Sequence, residues 1–146
     1  MAIQDISATR KYLAGLLEAD TEIGTTMQFH VYESRQLPQV YDREIAVFSA
    51  GSSPNSYAVL GSATGGPAFQ FSIWWLVKFA EGKLDVAEDI SDSVENAIYR
   101  VLLEENYKTA YWRKILFPQL SLRPLAPGGV QNAHFGRILT RMMVNV

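Results

Sequence analysis

The sequence predicts an α+β domain: a single mixed or antiparallel sheet with two helices packed on one face, in the order α-β-β-β-α-β-β, around a long Gly/Ser-rich loop. Three observations predict it. Apolar residues alternate with period two in several separate runs, and two other stretches carry the 3.6-residue period of amphipathic helices. Between the second and third alternating runs, eleven of the nineteen residues of SAGSSPNSYAVLGSATGGP are Gly, Ser or Pro, a composition that breaks regular structure.

The elements follow in chain order. Ile6, Leu13, Leu16 and Leu17 form a helical stripe that starts near Asp5 or Ser7, with Gly24 as a stop signal. Met27, Phe29 and Val31 then alternate with Gln28, His30 and Tyr32, and Ile45 and Val47 begin a second run. Residues 49–67 read as a loop. After it, Phe69, Phe71, Ile73, Trp75, Val77 and Phe79 share one strand face, with Gln70, Ser72, Trp74, Leu76 and Lys78 on the other. At about 12 residues, or roughly 40 Å, this strand is long enough to project or to bend at a bulge. Val86, Ile90, Val94, Ala97, Ile98, Val101 and Leu102 define a second helix, with Asp85 and Glu88 at capping-box spacing. The acids of its first turns suit the positive end of the helix dipole. Two strands remain, Ala110–Phe117 and Phe135–Val146, joined by an irregular connection containing Pro118, Pro124, Pro127, Gly128 and Gly129.

Composition narrows the chemistry. The 146 residues suit one domain spanning 1–146, and none is cysteine, which removes disulfides, thiolate metal sites and thiol nucleophiles. Asp5 stands where a secretory leader is basic, and no apolar core follows it, so export by that route is not expected. The 33 residues from Ile45 to Val77 are uncharged, yet the Gly, Ser and Pro residues interrupt them well short of a membrane span. No metal is expected, because His30 and His134 lack ligand-like spacing. Gly61, Gly65 and Gly66 lack the Gly-Lys-Ser/Thr of a phosphate loop, and there is no GxSxG elbow, so neither a cofactor nor an enzymatic activity is expected.

Charge is strongly polarised. Residues 78–105 hold eight acids and three bases, whereas six bases and no acid follow Glu105. Basic residues interleaved with Tyr107, Tyr111, Trp112, Phe117 and Phe135 suit nucleic-acid stacking, but six bases in 41 residues are dilute and the acidic helix beside them repels a polyanion. Alternatively the two charge zones pair within the chain, or they meet head to tail between copies. Trp74 and Leu76 pose a similar choice: either the chain covers them itself, or they form an exposed apolar patch that contacts a neighbour.

In size, in the amino-terminal helix, in the strands separated by a Gly/Ser-rich loop, in the amphipathic helix DVAEDISDSVENAIYRVLLEE and in the closing strand FGRILTRMMVNV, the chain resembles the tail terminator proteins of long-tailed bacteriophages. That resemblance implies a structural virion protein, a hexameric ring that caps the tail tube, ends its polymerisation and offers its other face to the head connector. DNA would pass through the ring without being read. The expected contacts between subunits are Tyr57, Val59 and Leu60 in the loop and Trp74 and Leu76 on the strand. Arg137 and Arg141 are expected to face acids such as Asp89 or Asp92.

Overall fold

The computed structural model describes residues 5–34, 37–38, 40–53, 68–105, 111–112, 114–123 and 132–143. Helix α1 spans Ile6–Ala19, and strands β1 (His30–Tyr32), β2 (Arg43–Ser53) and β3 (Ala68–Lys78) precede helix α2 (Leu84–Glu104). Strands β4 (Lys114–Leu122) and β5 (Ala133–Met143) close the domain. The five strands form one mixed sheet in the order β1-β2-β3-β5-β4. Only β1 runs parallel to its neighbour, and the other pairings are antiparallel. The α+β class and the single sheet with two helices are those the sequence predicts, whereas the order differs by a π-helical turn inserted between α1 and β1.

Both helices lie on one face. Leu13, Ala14 and Leu17 of α1 and Ala87, Val94, Ala97, Ile98, Val101 and Leu102 of α2 share one core with Ile45, Val47, Phe69, Phe71, Ile73, Trp75 and Val77. Alternation along β3 dictates this, because successive side chains point to opposite faces. Trp75 is fully buried at the centre, opposite Gly136 of β5. A Cβ on Gly136 would lie 2.1 Å from the Trp75 ring, so the absence of a side chain there makes room for the indole.

Several boundaries differ from the sequence expectation for identifiable reasons. Asp5 caps α1 by accepting from Ser7 N at 2.9 Å, but the helix ends at Ala19 rather than at Gly24. A π-helical turn, Glu22–Thr26, follows; it carries the i to i+5 bond from Met27 N to the Glu22 carbonyl at 2.8 Å. The alternating burial of Met27 and Phe29 is real, yet Gln28 at φ 60° breaks the extended backbone and confines β1 to three residues. The capping box at α2 does not form: Lys83 is the N-cap residue without a side-chain bond, and Asp85 lies within the first turn. Of the two options open to the long strand, projection or a bulge, the register shift falls on its partner β2, between Ser49 and Gly51. Strand β4 begins later than expected and runs through Pro118, as an edge strand permits, with its register shifting between Leu116 and Leu120.

Charged side chains fasten the helical layer. Arg100 of α2 reaches Asp20 at 2.7 Å and Glu22 at 3.0 Å, tying α2 to the turn after α1, and it also pairs with Glu104. These carboxylates hold the Arg100 guanidinium above its ordinary pKa, against the opposing effect of burial. Arg123, just after β4, pairs with Asp92 at 3.1 Å and Glu95 at 2.7 Å and lies 5.0 Å above the Trp75 ring. It therefore closes one side of the core with a cation already answered by two acids.

Candidate assembly surface

The face of the sheet opposite the helices is built from the alternate residues of the same strands. Register places Ala46 and Arg137 on either side of Trp74, and Glu44 and Phe135 on either side of Leu76. Among the described residues no helix covers this face. One end and the middle of it differ in chemistry.

At one end the chain folds over itself. Glu44 is fully buried, and its carboxylate accepts from the Tyr32 hydroxyl at 3.0 Å and from the backbone N–H groups of Val40 and Tyr41 at 3.1 and 3.2 Å. Those bonds draw residues 40–41 back over the sheet. Burial, then the hydrogen bond to Glu44 and its charge, raise the Tyr32 phenol above its ordinary pKa. Beside this network Leu76 is 0% exposed. The expectation that Leu76 forms an intersubunit contact is therefore corrected: the subunit covers it itself.

The middle of the face is different. The Trp74 ring is half-buried, with Phe48 tilted against it at 6.4 Å and the Arg137 guanidinium 5.4 Å from its centroid. The Trp74 indole N–H is buried without a hydrogen-bond partner. Arg137 is half-buried and forms no ion pair among the described residues. Leu139 is half-buried nearby, and Leu122, directly across from Arg137 on β4, is 41% exposed. Such a patch can stack on planar or apolar groups and attract an anion, because the Arg137 cation has no ion pair among the described residues.

The remaining expected contacts separate. Arg141 is exposed at the far end of β5, across from Gln70. Asp89 is exposed on α2, where its side chain has no ion pair among the described residues. Asp92, expected to face Arg137 or Arg141 of a neighbour, pairs with Arg123 of the same chain at 3.1 Å. Intramolecular pairing thus accounts for part of the charge polarity. Tyr57, Val59 and Leu60 lie outside the described residues.

Two further features carry no signal that sequence reading singles out. Ser91 of α2, fully buried, meets His134 Nδ1 of β5 at 2.7 Å. Burial, then the charge of Arg123, lowers the His134 pKa against the opposing pull of Glu88 and Asp92. With its hydroxyl sealed from solvent, Ser91 serves as a helix-to-sheet fastener and is not placed to attack a substrate. A groove of about 900 Å³ also opens beside β1, bounded by Glu18, Asp20, Thr25, His30, Tyr41 and Asp42 among others. The His30 and Tyr41 rings stack in it at 3.4 Å. No sequence motif marks this groove, because its walls come from four separate segments joined only by the fold.

Among the described residues no group of three His, Asp or Glu side chains is placed to hold a metal ion. No described helix is long and apolar enough to cross a membrane. Compared with known proteins, the chain matches no family model and no curated sequence.

Proposed function

We propose that the chain is a non-enzymatic structural subunit of a homo-oligomeric ring, a tail terminator of a long-tailed phage. The ring, of six copies by the resemblance, caps the tail tube in the virion, ends addition of tube subunits and presents its other face to the head connector. DNA traverses its lumen without sequence readout. The observation that supports this most is the sheet face opposite the helices, where Trp74 and Arg137 are half-buried and Leu122 is exposed. It is an apolar patch with unmet polar groups, on a domain whose other face is sealed by both helices. A half-buried aromatic ring under a cation with no ion pair among the described residues, beside an exposed leucine, is a surface that a neighbour's apolar and acidic groups would complement.

Trp74→Glu tests the surface. The indole is only half-buried, so the variant is expected to remain folded by circular dichroism while losing assembly in sedimentation velocity. A variant that unfolds would place Trp74 in the core and remove it from the interface. A folded variant that assembles like the parent would remove this face from the ring contact.

A further inference from the structure

We infer that the groove beside β1 and the Arg141 end of β5 are the two halves of one contact between copies, with the Arg141 guanidinium of one subunit seated in the groove of the next. This rests on the ring assembly proposed above and names a pair of surfaces that would make it.

The groove has the chemistry of a guanidinium site. Its stacked His30 and Tyr41 rings offer a planar π surface, and Tyr41 is 45% exposed. Glu18 and Asp42 line the same groove, and neither carboxylate has an ion pair among the described residues. Asp20 is already committed to Arg100, and the one arginine in the described wall, Arg43, is turned to the Met27 carbonyl at 2.7 Å. Two unanswered carboxylates beside an aromatic stack favour arginine, which pairs with carboxylates through its planar fork and stacks on rings.

Arg141 is the cation that fits. Among the described arginines, Arg100 and Arg123 are in ion pairs, Arg43 is bound to the backbone, Arg10 reaches the Ser7 hydroxyl and Arg137 lies on Trp74. Arg141 is exposed and has none of these. The Asp89 alternative is weaker, because that carboxylate sits on a solvated convex helix, where an ion pair contributes little. A concave wall removes more water from the pair.

Geometry makes the contact intermolecular. The Asp42 carbonyl accepts from Lys78 N, at the end of β3, whereas Arg141 lies across from Gln70, eight residues along the same strand. At about 3.3 Å per residue the two sites are roughly 26 Å apart. One molecule cannot join them, but a head-to-tail array joins each groove to the next Arg141, and such a heterologous contact closes into a ring when the rotation permits.

The absence of cysteine allows a direct test. A double variant, Asp42→Cys with Arg141→Cys, cannot close a disulfide within one chain, since that bond needs Cα atoms within about 7 Å. Under mild oxidation it is expected to give a ladder of disulfide-linked oligomers, while each single variant gives none and Asp89→Cys with Arg141→Cys stays monomeric on a non-reducing gel. A ladder from the Asp89 pair but not the Asp42 pair overturns the groove contact and leaves ring assembly standing. Dimers from either single variant alone also overturn it, because they mark an isologous contact. If neither pair cross-links, the groove contact is wrong, and sedimentation of the unmodified chain then separates the two failures: a ring preserves the assembly, and a stable dimer removes it as well.

Discussion

Replacing Gly136 by Ala is expected to destabilise the domain by about 3 kcal/mol, at the upper end of the usual cost of overpacking a core. The added Cβ would lie 2.1 Å from both Cε2 and Cζ2 of Trp75 and 2.5 Å from its Nε1, where carbon atoms normally sit about 3.5–4.0 Å apart. The obstacle is a rigid ring, fully buried and covered by Arg123, so a small rotamer adjustment does not clear it. Gly136 is not among the glycines with positive φ, and the cost is therefore steric rather than conformational. For a chain of this length the loss corresponds to a fall in Tm of roughly 10 °C. Urea denaturation followed by circular dichroism measures it. Adding Trp75→Phe to the Gly136→Ala background should recover part of the loss, with a coupling of about 1 kcal/mol or more in the double-mutant cycle. A Gly136→Ala variant within about 0.5 kcal/mol of the parent, or a cycle with no coupling, would refute the packing of β5 against Trp75.

The other expectations follow from the same contacts. Gly15→Ala, in the interior of α1 with nothing within 4 Å of the new Cβ, should stabilise the fold by about 0.5–1 kcal/mol in the same urea assay. Glu44→Ala strands the donors of Tyr32, Val40 and Tyr41 and should cost about 3 kcal/mol, read as a lower urea midpoint. His134 titrates below its ordinary value in the folded state, so the unfolded chain binds the proton more readily. Its contribution is complete above the unfolded pKa and declines as pH falls from about 6.5 towards the folded value. His134→Asn should flatten that part of the stability-against-pH curve relative to the parent. Arg100→Met should cost about 1 kcal/mol, less in high salt, because the guanidinium is partly solvated.

The elements most legible in the sequence are those whose periodicity is enforced by burial. The helix over 84–104 and the strand over 68–78 each present one continuous face to the core, so their apolar positions repeat without interruption. The π-helical turn leaves no such trace, because nothing in Glu22–Thr26 distinguishes i to i+5 bonding from an ordinary helix end. Strand order is equally hidden: pairing β3 with β5, and leaving β1 as a parallel edge, depends on long-range packing that no local pattern records. Alternation alone places Trp74 on the face opposite the helices. It places Leu76 on the same face but says nothing of its burial, which goes with the buried Glu44 beside it and the bonds that Glu44 accepts from Val40 and Tyr41. Likewise the sequence offers Asp92 to a neighbour, because its partner Arg123 lies 31 positions away and reaches it only once β4 is in place.

Ring closure through the sheet face opposite the helices is the proposal on which the rest depends. Solution mass by sedimentation, taken together with negative-stain images of the same sample, tests it most directly. The expected result is a single closed species with a central channel, six copies by the resemblance, that Trp74→Glu dissolves into folded subunits. A stable two-fold dimer that buries Trp74 and Arg137 against their own copies, leaving no open end for further addition, would contradict it.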